Sequence, residues 1–193
     1  MIKIEHARHE ASGVFRLVAI GSLIPRKGMD VILNALVKVK AQCQVHLSII
    51  GAGAELSRLE ALARAGSLTD RVTFVGEISP DKVAKYLAES DAFVLASYSE
   101  GRPNVVLEAM AAGVPVIASD IDGVRELLGK EHNGLLFCAG DADLLAQKIE
   151  LLISNSERWN TLSSSGRGYI KDNNLLWPAV GQRYANLYSE VVN

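Results

Sequence analysis

Residues 92–119, AFVLASYSEGRPNVVLEAMAAGVPVIAS, hold two apolar runs on either side of a helical pattern. The runs Ala92–Ala96 and Val116–Ala118 are continuous rather than alternating, as is typical of strands covered on both faces. Between them, Asn104–Ala112 predicts a helix that starts after a proline and ends at a glycine. The segment therefore predicts a strand–helix–strand unit of a parallel sheet.

The same alternation of strand and helix extends to both sides of this segment. Further strand-like runs are Phe15–Ile20, Val45–Ile50, Val72–Val75 and Leu135–Phe137. Helical patterns are Met29–Lys40, Ala54–Ala65, Asp81–Glu89 and Asp141–Ile153, the last capped by Asp141 or Asp143. These elements predict an α/β fold: a Rossmann-like, doubly wound parallel sheet of about six strands, with helices on both faces and a helical C-terminal tail. We assign residues 1–14 to a linker and 15–193 to one domain, whose C-terminal helices begin at about residue 141.

Composition excludes several classes of protein. The 193 residues fit one domain; 49% are apolar and 22% charged, and the formal net charge is −2. Because Lys and Arg are dispersed, nucleic acid is not expected as a partner. No apolar stretch approaches the roughly 20 residues that span a bilayer, and the N-terminus MIKIEHARHE lacks the apolar region of a signal peptide, so neither a transmembrane segment nor a signal peptide is expected.

The cysteine and aromatic residues give weaker predictions. Cys43 and Cys138 each adjoin an apolar run, which predicts buried free thiols and a cytoplasmic location. His132 precedes Asn-Gly, which predicts a solvated turn. Five of the seven Trp and Tyr residues lie late in the chain, where they either pack on the sheet or dock a further domain: Trp159, Tyr169, Trp177, Tyr184 and Tyr188.

The loop after Ala92–Ala96 holds the candidate chemistry, because ligands of open α/β sheets bind beyond the carboxyl ends of the strands. The helix from Asn104 starts with free amides, which suit a phosphate group. Glu108 lies one turn further on the same face, and its side chain leans back towards that end. A carboxylate repels phosphate, so Glu108 and the loop residue Glu100 suit hydroxyl groups, such as a ribose diol. Acidic residues near a helix start are also common for the dipole alone, and the residues by themselves leave both interpretations open.

Residues 100–108, EGRPNVVLE, followed by AMAAGVPVIAS, resemble the signature of the group 1 retaining glycosyltransferases. These are two-domain enzymes of the GT-B fold, including glycogen-synthase-like and mannosyltransferase members, and the resemblance extends from about Phe15 to the C-terminus. It implies that this chain is the C-terminal half of a GT-B fold, which binds a UDP-, GDP- or ADP-sugar. It also implies an N-terminal acceptor-binding domain that this chain lacks, and it leaves peripheral attachment of the complete enzyme to a membrane open.

The resemblance assigns a role to each matching residue. Glu108 would hold the ribose, Glu100 would bind hydroxyls of the donor sugar, and Lys27, in the segment GSLIPRKG at 21–28, would grip the diphosphate. The family often has Arg where Ser22 occurs, which removes one charged contact worth about 1.5–3 kcal/mol. Glu100 and Lys27 are the candidate catalytic residues. The other donor-binding candidates are Gly21, Ser22, Arg26, Gly51, Gly53, Val75, Gly76, Ile78, Gly101, Arg102, Pro103, Asn104 and Val105.

No cofactor and no metal ion are expected by this resemblance, which implies front-face transfer without a nucleophilic side chain. Asp141 and Asp143 have the spacing of an Asp-x-Asp metal motif, but capping of a helix explains them better. Two other classes of function remain as alternatives. Gly51 and Gly53 after a strand, with Glu77 at the next strand end, suggest a dinucleotide-binding domain, although Leu56 replaces the third glycine. The aromatic tail suggests a non-catalytic interaction module.

Overall fold

The computed structural model describes residues 13–40, 43–129 and 132–175. These form one sheet of six strands, β1 (Val14–Ile20), β2 (Gln44–Ile50), β3 (Val72–Gly76), β4 (Ala92–Leu95), β5 (Val116–Ser119) and β6 (Leu135–Phe137). The strand order is β3-β2-β1-β4-β5-β6, and every pair is parallel. The predicted parallel sheet of about six strands is confirmed, and each predicted strand lies within one residue of its observed bounds.

Helices connect the strands and cover the sheet. They are α1 (Met29–Lys38), α2 (Leu56–Ala65), α3 (Pro80–Glu89), α4 (Asn104–Ala112), α5 (Asp122–Leu128), α6 (Ala142–Ser154) and α7 (Ser156–Asp172). A short 3-10 turn, Pro25–Lys27, precedes α1. The predicted helix over 29–40 ends two residues early, because Val39 adopts an extended conformation with ψ of 121°. The sequence analysis did not identify α5, a helix of seven residues with one apolar face.

Two apolar layers, one on each face of the sheet, form the core. Alternate residues of β1, such as Phe15 and Leu17, face the layer that α1, α2 and α6 cover. Val18 faces the opposite layer, covered by α3, α4 and α5. Because both faces of each central strand are buried, both sets of alternating positions must be apolar, which explains the continuous apolar runs in the sequence.

Helix α7 packs across the amino ends of the strands. Trp159 is 1% exposed, and its ring nitrogen Nε1 donates a 2.6 Å hydrogen bond to the carbonyl of Asp91, just before β4. Further along, Ser163 Oγ donates to the carbonyl of Gly113 at 2.6 Å, and Tyr169 packs half-buried on the second layer. Packing on the sheet is thus confirmed for these two rings; Trp177, Tyr184 and Tyr188 lie outside the described residues.

The prediction of buried thiols was wrong for Cys138, which is exposed, and only partly right for Cys43, which is half-buried. Each cysteine lies just outside a strand: Cys138 begins the turn after β6, and Cys43 precedes β2. At Cys138, burial therefore ended with the hydrogen-bonded part of the strand, although the apolar run in the sequence continues to the cysteine. His132 is exposed, as predicted. Within the described part of the chain, no helix has the length and apolar character needed to cross a membrane.

Candidate functional site

The strand order changes direction between β1 and β4. These strands are neighbours in the centre of the sheet, and the chain winds outward from them in opposite directions. The loops after their carboxyl ends, residues 21–28 and 96–103, lie side by side, with the amide of Tyr98 donating to the carbonyl of Arg26 at 2.9 Å. We call the region beyond these two loops the crevice. Open α/β sheets bind ligands at such a topological switch point. Both segments that the sequence analysis identified as carrying chemistry follow these two strands.

The loop after β1 is fixed by the loop after β2. The amide of Leu23 donates to the carbonyl of Ala52 at 2.8 Å. A Cβ atom at Gly51 would lie 2.0 Å from the carbonyl oxygen of Gly21, and one at Gly53 would lie 2.3 Å from that of Leu23. Any larger residue at 51 or 53 would push the two loops apart. These glycines are therefore required for backbone contact between the loops.

Lys27 and Glu100 meet across the switch point. Lys27 Nζ donates to Glu100 Oε1 at 2.5 Å, and the same oxygen accepts a 2.7 Å hydrogen bond from Ser97 Oγ. Arg26 Nη1 donates to the carbonyl of Ser99 at 2.7 Å and lies 3.9 Å from Glu100 Oε2. The two candidate catalytic residues, from loops 73 positions apart in sequence, thus form one ion pair.

This pair sets the charge state of the site. Burial raises the pKa of Glu100, but the hydrogen bonds from Lys27 and Ser97 and the positive charges of Lys27 and Arg26 outweigh that effect. The pKa of Glu100 consequently lies below its usual value, and its carboxyl is ionised at neutral pH. The side chain of Lys27, only 17% exposed, therefore lies against an ionised carboxylate.

Helix α4 begins beside this pair with its amides unoccupied. Pro103 occupies the N-cap position and cannot cap with its side chain, and the first turn contains no acidic residue. The first hydrogen bond of the helix runs from the amide of Val106 to the carbonyl of Pro103 at 3.0 Å. The amides of Asn104 and Val105 have no partner among the residues described. A helix start in this condition presents partial positive charge to the crevice.

Glu108 lies one turn into α4, half-buried. Burial raises its pKa, and within residues 13–40, 43–129 and 132–175 no hydrogen bond or ion pair reaches its carboxylate. A carboxylate that has lost water without gaining donors is costly to the folded protein. A ligand that supplies the missing hydrogen-bond donors would explain such a group. Hydroxyl groups are one class of donor from which a carboxylate accepts hydrogen bonds.

Gly123, near the start of α5, was missed by the sequence analysis. A Cβ atom at this position would lie 1.8 Å from the carbonyl oxygen of Gly101, in the loop that carries Glu100. The signal was present in the sequence: Asp122 and the apolar spacing of Val124, Leu127 and Leu128 mark a short helix after β5. Recognising that helix would have placed Gly123 at the carboxyl edge of the sheet.

The remaining candidate residues lie around the same edge with less defined surroundings. The amide of Gly51 donates to the carbonyl of Gly76 at 2.9 Å, which joins the loops after β2 and β3. Val75 and Ile78 are half-buried next to this contact. Ser22 and Arg102 are exposed. The structure thus brings the candidate residues to one edge of the sheet, while their roles towards a ligand stay predictions.

Two other features bear on the site. Asp141 Oδ1 accepts from the amide of Leu144 at 2.9 Å and Asp143 pairs with Lys38 at 2.7 Å, so Asp141 caps α6 as expected. Among the described residues, no group of three or more His, Cys, Asp or Glu side chains has the geometry to hold a metal ion. An open groove of about 920 Å³ lies between the C-terminal halves of α1 and α2 and residues 138–143, outside the loops after β1 and β4.

Comparison with known families matches residues 2–169 to the model described as glycosyl transferases group 1. The chain belongs to this family. The resemblance drawn from residues 100–119 and the enzyme class that it implied are therefore confirmed. A GDP-mannose-dependent α-(1-6)-phosphatidylinositol monomannoside mannosyltransferase from Mycobacterium tuberculosis is 31% identical over 162 residues, which are 80% of this chain and 42% of that protein. The amylovoran biosynthesis glycosyltransferase AmsK from Erwinia amylovora is 33% identical over 164 residues, 81% of this chain and 39% of that protein.

Solved structures of glycosyltransferases share the fold. Sucrose-phosphate synthase from Thermosynechococcus elongatus superposes with a TM-score of 0.85 at 31% identity, over 96% of this chain and 48% of that one. Anabaena Alr3699/HepE, solved in complex with UDP and glucose, gives a TM-score of 0.84 at 25% identity, over 97% of this chain and 52% of that one. The chain spans about half the length of the relatives that it matches, and its fold is one Rossmann-like half of a GT-B glycosyltransferase.

Proposed function

We propose that this chain binds the donor of a retaining glycosyltransferase, a nucleoside diphosphate sugar, in the crevice between the loops after β1 and β4. The diphosphate lies at the start of α4, beside Lys27. Glu108 accepts hydrogen bonds from the ribose, and Glu100 accepts them from the sugar. Backbone groups of residues 51–53 and 75–78 line the pocket of the base.

One observation carries the proposal: hydrogen-bond donors and an acceptor lie close together in the crevice, and neither has a partner among the described residues. The uncapped amides of Asn104 and Val105 suit an anion, and the half-buried carboxylate of Glu108, four residues further, suits hydroxyl donors. A ligand with phosphate at one place and a diol close by satisfies both. The complexes of Alr3699/HepE with UDP and with UDP-glucose show that a relative of this fold binds such a ligand.

The proposed chemistry requires that negative charge be stabilised as the bond to the sugar breaks. Cleavage of that bond leaves the charge on the departing diphosphate oxygens. Lys27 and the α4 amides stabilise it in a crevice where burial strengthens electrostatic interactions. In this proposal the protein's own cationic groups meet the charge, and no metal ion or other cofactor takes part.

Lys27 and Glu100 can both serve the donor while their ion pair persists. Glu100 Oε1 accepts from both Lys27 and Ser97, whereas Oε2 has only Arg26 at 3.9 Å. Oε2 is thus open to a sugar hydroxyl while Oε1 keeps its bonds. The diphosphate then shares Lys27 with Glu100, which holds the ammonium group in place before the donor arrives.

The acceptor site in this proposal belongs to a second, N-terminal domain, since the matched relatives are about twice as long as this chain. Its place in the cell is proposed to be the cytoplasm, because the two cysteines are free thiols, as is usual in a reducing compartment. Peripheral attachment of the complete enzyme to a membrane would depend on that second domain.

The test is a calorimetric and thermal-shift screen of UDP-, GDP- and ADP-glucose, GDP-mannose and NAD against the wild-type chain, Lys27→Met and Glu108→Gln. We expect one class of nucleotide sugar to bind and to raise the melting temperature with concentration, because a ligand of the native state stabilises it. Each variant should weaken that binding about tenfold or more, the usual cost of a lost charged hydrogen bond.

Lys38→Met is the matched control. Lys38 also pairs with an acid, Asp143 at 2.7 Å, but lies at the far end of α1 from the crevice. Its loss should leave donor affinity unchanged. Binding of NAD in preference to every nucleotide sugar would support the dinucleotide alternative. Equal nucleotide-sugar binding by the wild type and both crevice variants would show that the crevice is not the donor site.

A further inference from the structure

We propose that Gly123 is a positioning residue that fixes the backbone of Glu100 and Gly101, and through it the Glu100 carboxylate, in the donor crevice. The inference depends on the proposed function only in the role of Glu100 towards the sugar. Gly123 lies on α5, after a different strand from Glu100, and does not need to contact the donor. Its part is to leave space that the loop after β4 occupies.

The contact is between backbones. A Cβ atom at Gly123 would lie 1.8 Å from the carbonyl oxygen of Gly101, 2.6 Å from that of Glu100 and 2.7 Å from the carbonyl carbon of Gly101. Cβ atoms essentially never approach other heavy atoms closer than 3.0 Å. A single methyl group would therefore force the two segments apart by about 1.2 Å. No rotation of a side chain relieves this contact, because all three neighbouring atoms belong to the main chain.

The loop, rather than the helix, has room to move. Val124, Leu127 and Leu128 of α5 are at most 2% exposed, so the helix cannot withdraw without opening the core. Arg125 also ties the start of α5, with Nε donating to Asp120 Oδ1 at 2.6 Å. Gly101, by contrast, is exposed, and a Cβ atom there would meet nothing within 4 Å. A side chain at 123 would thus displace the backbone at Glu100 and Gly101.

The displacement is large enough to matter for the carboxylate. Glu100 Oε1 lies 2.7 Å from Ser97 Oγ and 2.5 Å from Lys27 Nζ, and a shift of about 1 Å is enough to break bonds of this length. Misplacing a group of a binding or catalytic site by 1 Å can lower rates by about 100-fold. Gly123→Ala should therefore act like removal of the Glu100 side chain.

The experiment compares affinities for UDP and UDP-glucose in the wild type, Gly123→Ala, Glu100→Ala and the double variant, below the melting temperature of each. We expect Gly123→Ala to weaken UDP-glucose binding by about tenfold relative to UDP, since only the sugar needs Glu100. In the Glu100→Ala background the same change should add nothing, because its effect passes through Glu100. Gly168→Ala in α7, where a Cβ atom meets nothing within 4 Å, should leave both affinities unchanged.

A crystal structure of Gly123→Ala provides a readout that needs no ligand: the carbonyl groups of Glu100 and Gly101 should move by about 1 Å while α5 keeps its place. If the wild type binds neither UDP nor UDP-glucose, the proposed function fails for these ligands, and this structure still decides the inference. Unmoved carbonyl groups at Glu100 and Gly101 would overturn it. So would an undiminished preference for UDP-glucose, or additive effects in the double variant.

Discussion

Glu108 and Glu100 are eight residues apart, yet the folded chain gives their carboxylates opposite surroundings. Glu100 has gained Lys27 and Ser97 as partners, and its pKa lies below the usual value. Glu108 has gained none among the described residues, and burial raises its pKa. One carboxylate is therefore stabilised before any ligand binds, and the other is held at a cost that a ligand can offset.

The cost at Glu108 predicts a variant that is more stable and binds less well. Because the pKa of Glu108 is higher in the folded chain than the roughly 4.3 of an unfolded glutamate, the folded state binds more protons, and stability falls as pH rises through that interval. Glu108→Gln should raise the melting temperature at pH 7.5 more than at pH 4, while weakening the binding of nucleotide sugar. Melting curves at the two pH values check this.

Glu126→Gln, at an exposed position of α5, is the control and should change neither the melting temperature nor the binding. A lower melting temperature of Glu108→Gln at pH 7.5 would mean that the carboxylate is already satisfied in the free chain.

Helix α4 runs from the carboxyl ends of the strands back to their amino ends. Its start faces the crevice, and its end is closed by Gly113 in a left-handed conformation with φ of 74°. The guanidinium of Arg167 lies over that glycine. Ser163 Oγ donates a hydrogen bond to the carbonyl of Gly113 at 2.6 Å. The end of α4 is thus held by α7, at a distance of the whole helix from the site.

This separation predicts that stability and binding can be changed independently along one helix. Gly113→Ala should lower the free energy of unfolding by about 1 kcal/mol or more, because the left-handed conformation is unfavourable for a residue with a Cβ atom. Donor affinity measured well below the melting temperature should stay unchanged. Urea unfolding and calorimetry supply the two quantities.

Gly168→Ala provides the comparison, since it removes a glycine from the interior of α7 without a contact or a positive φ. That change should stabilise the chain by up to about 1 kcal/mol through helix propensity. Destabilisation by both alanines to a similar degree would contradict the role of the left-handed conformation at residue 113.

At the scale of the whole molecule, the six-stranded sheet brings distant loops together at one edge. Residues 21–28, 51–53, 96–103 and 123 lie in contact there only because β2, β1, β4 and β5 are consecutive in the sheet. The fold corresponds to about half the length of its relatives. In the proposed function the crevice of this half binds the donor, whereas transfer also requires a bound acceptor.

We therefore expect this chain to bind a nucleotide sugar and to transfer no sugar by itself. Coupled detection of released nucleoside diphosphate, with panels of sugar and lipid acceptors, measures transfer, and calorimetry under the same conditions measures binding. Addition of an N-terminal half from a group 1 relative tests whether a second domain enables transfer. Robust transfer by this chain alone would contradict the assignment of the acceptor site to a second domain.

The sequence by itself determined the class of fold and the approximate bounds of its strands, because strands buried on both faces require continuous apolar runs. It also identified Lys27, Glu100 and Glu108, whose spacing within short segments is a local property. Only the tertiary structure decided that Lys27 pairs with Glu100, that Glu108 has no partner among the described residues, and that Gly123 lies under Gly101. These are contacts between loops that follow different strands, and the order of strands in a sheet, which no local pattern encodes, sets which loops meet. The exposure of Cys138 was mispredicted for a related reason, since burial ends where the strand does and not where the apolar letters end.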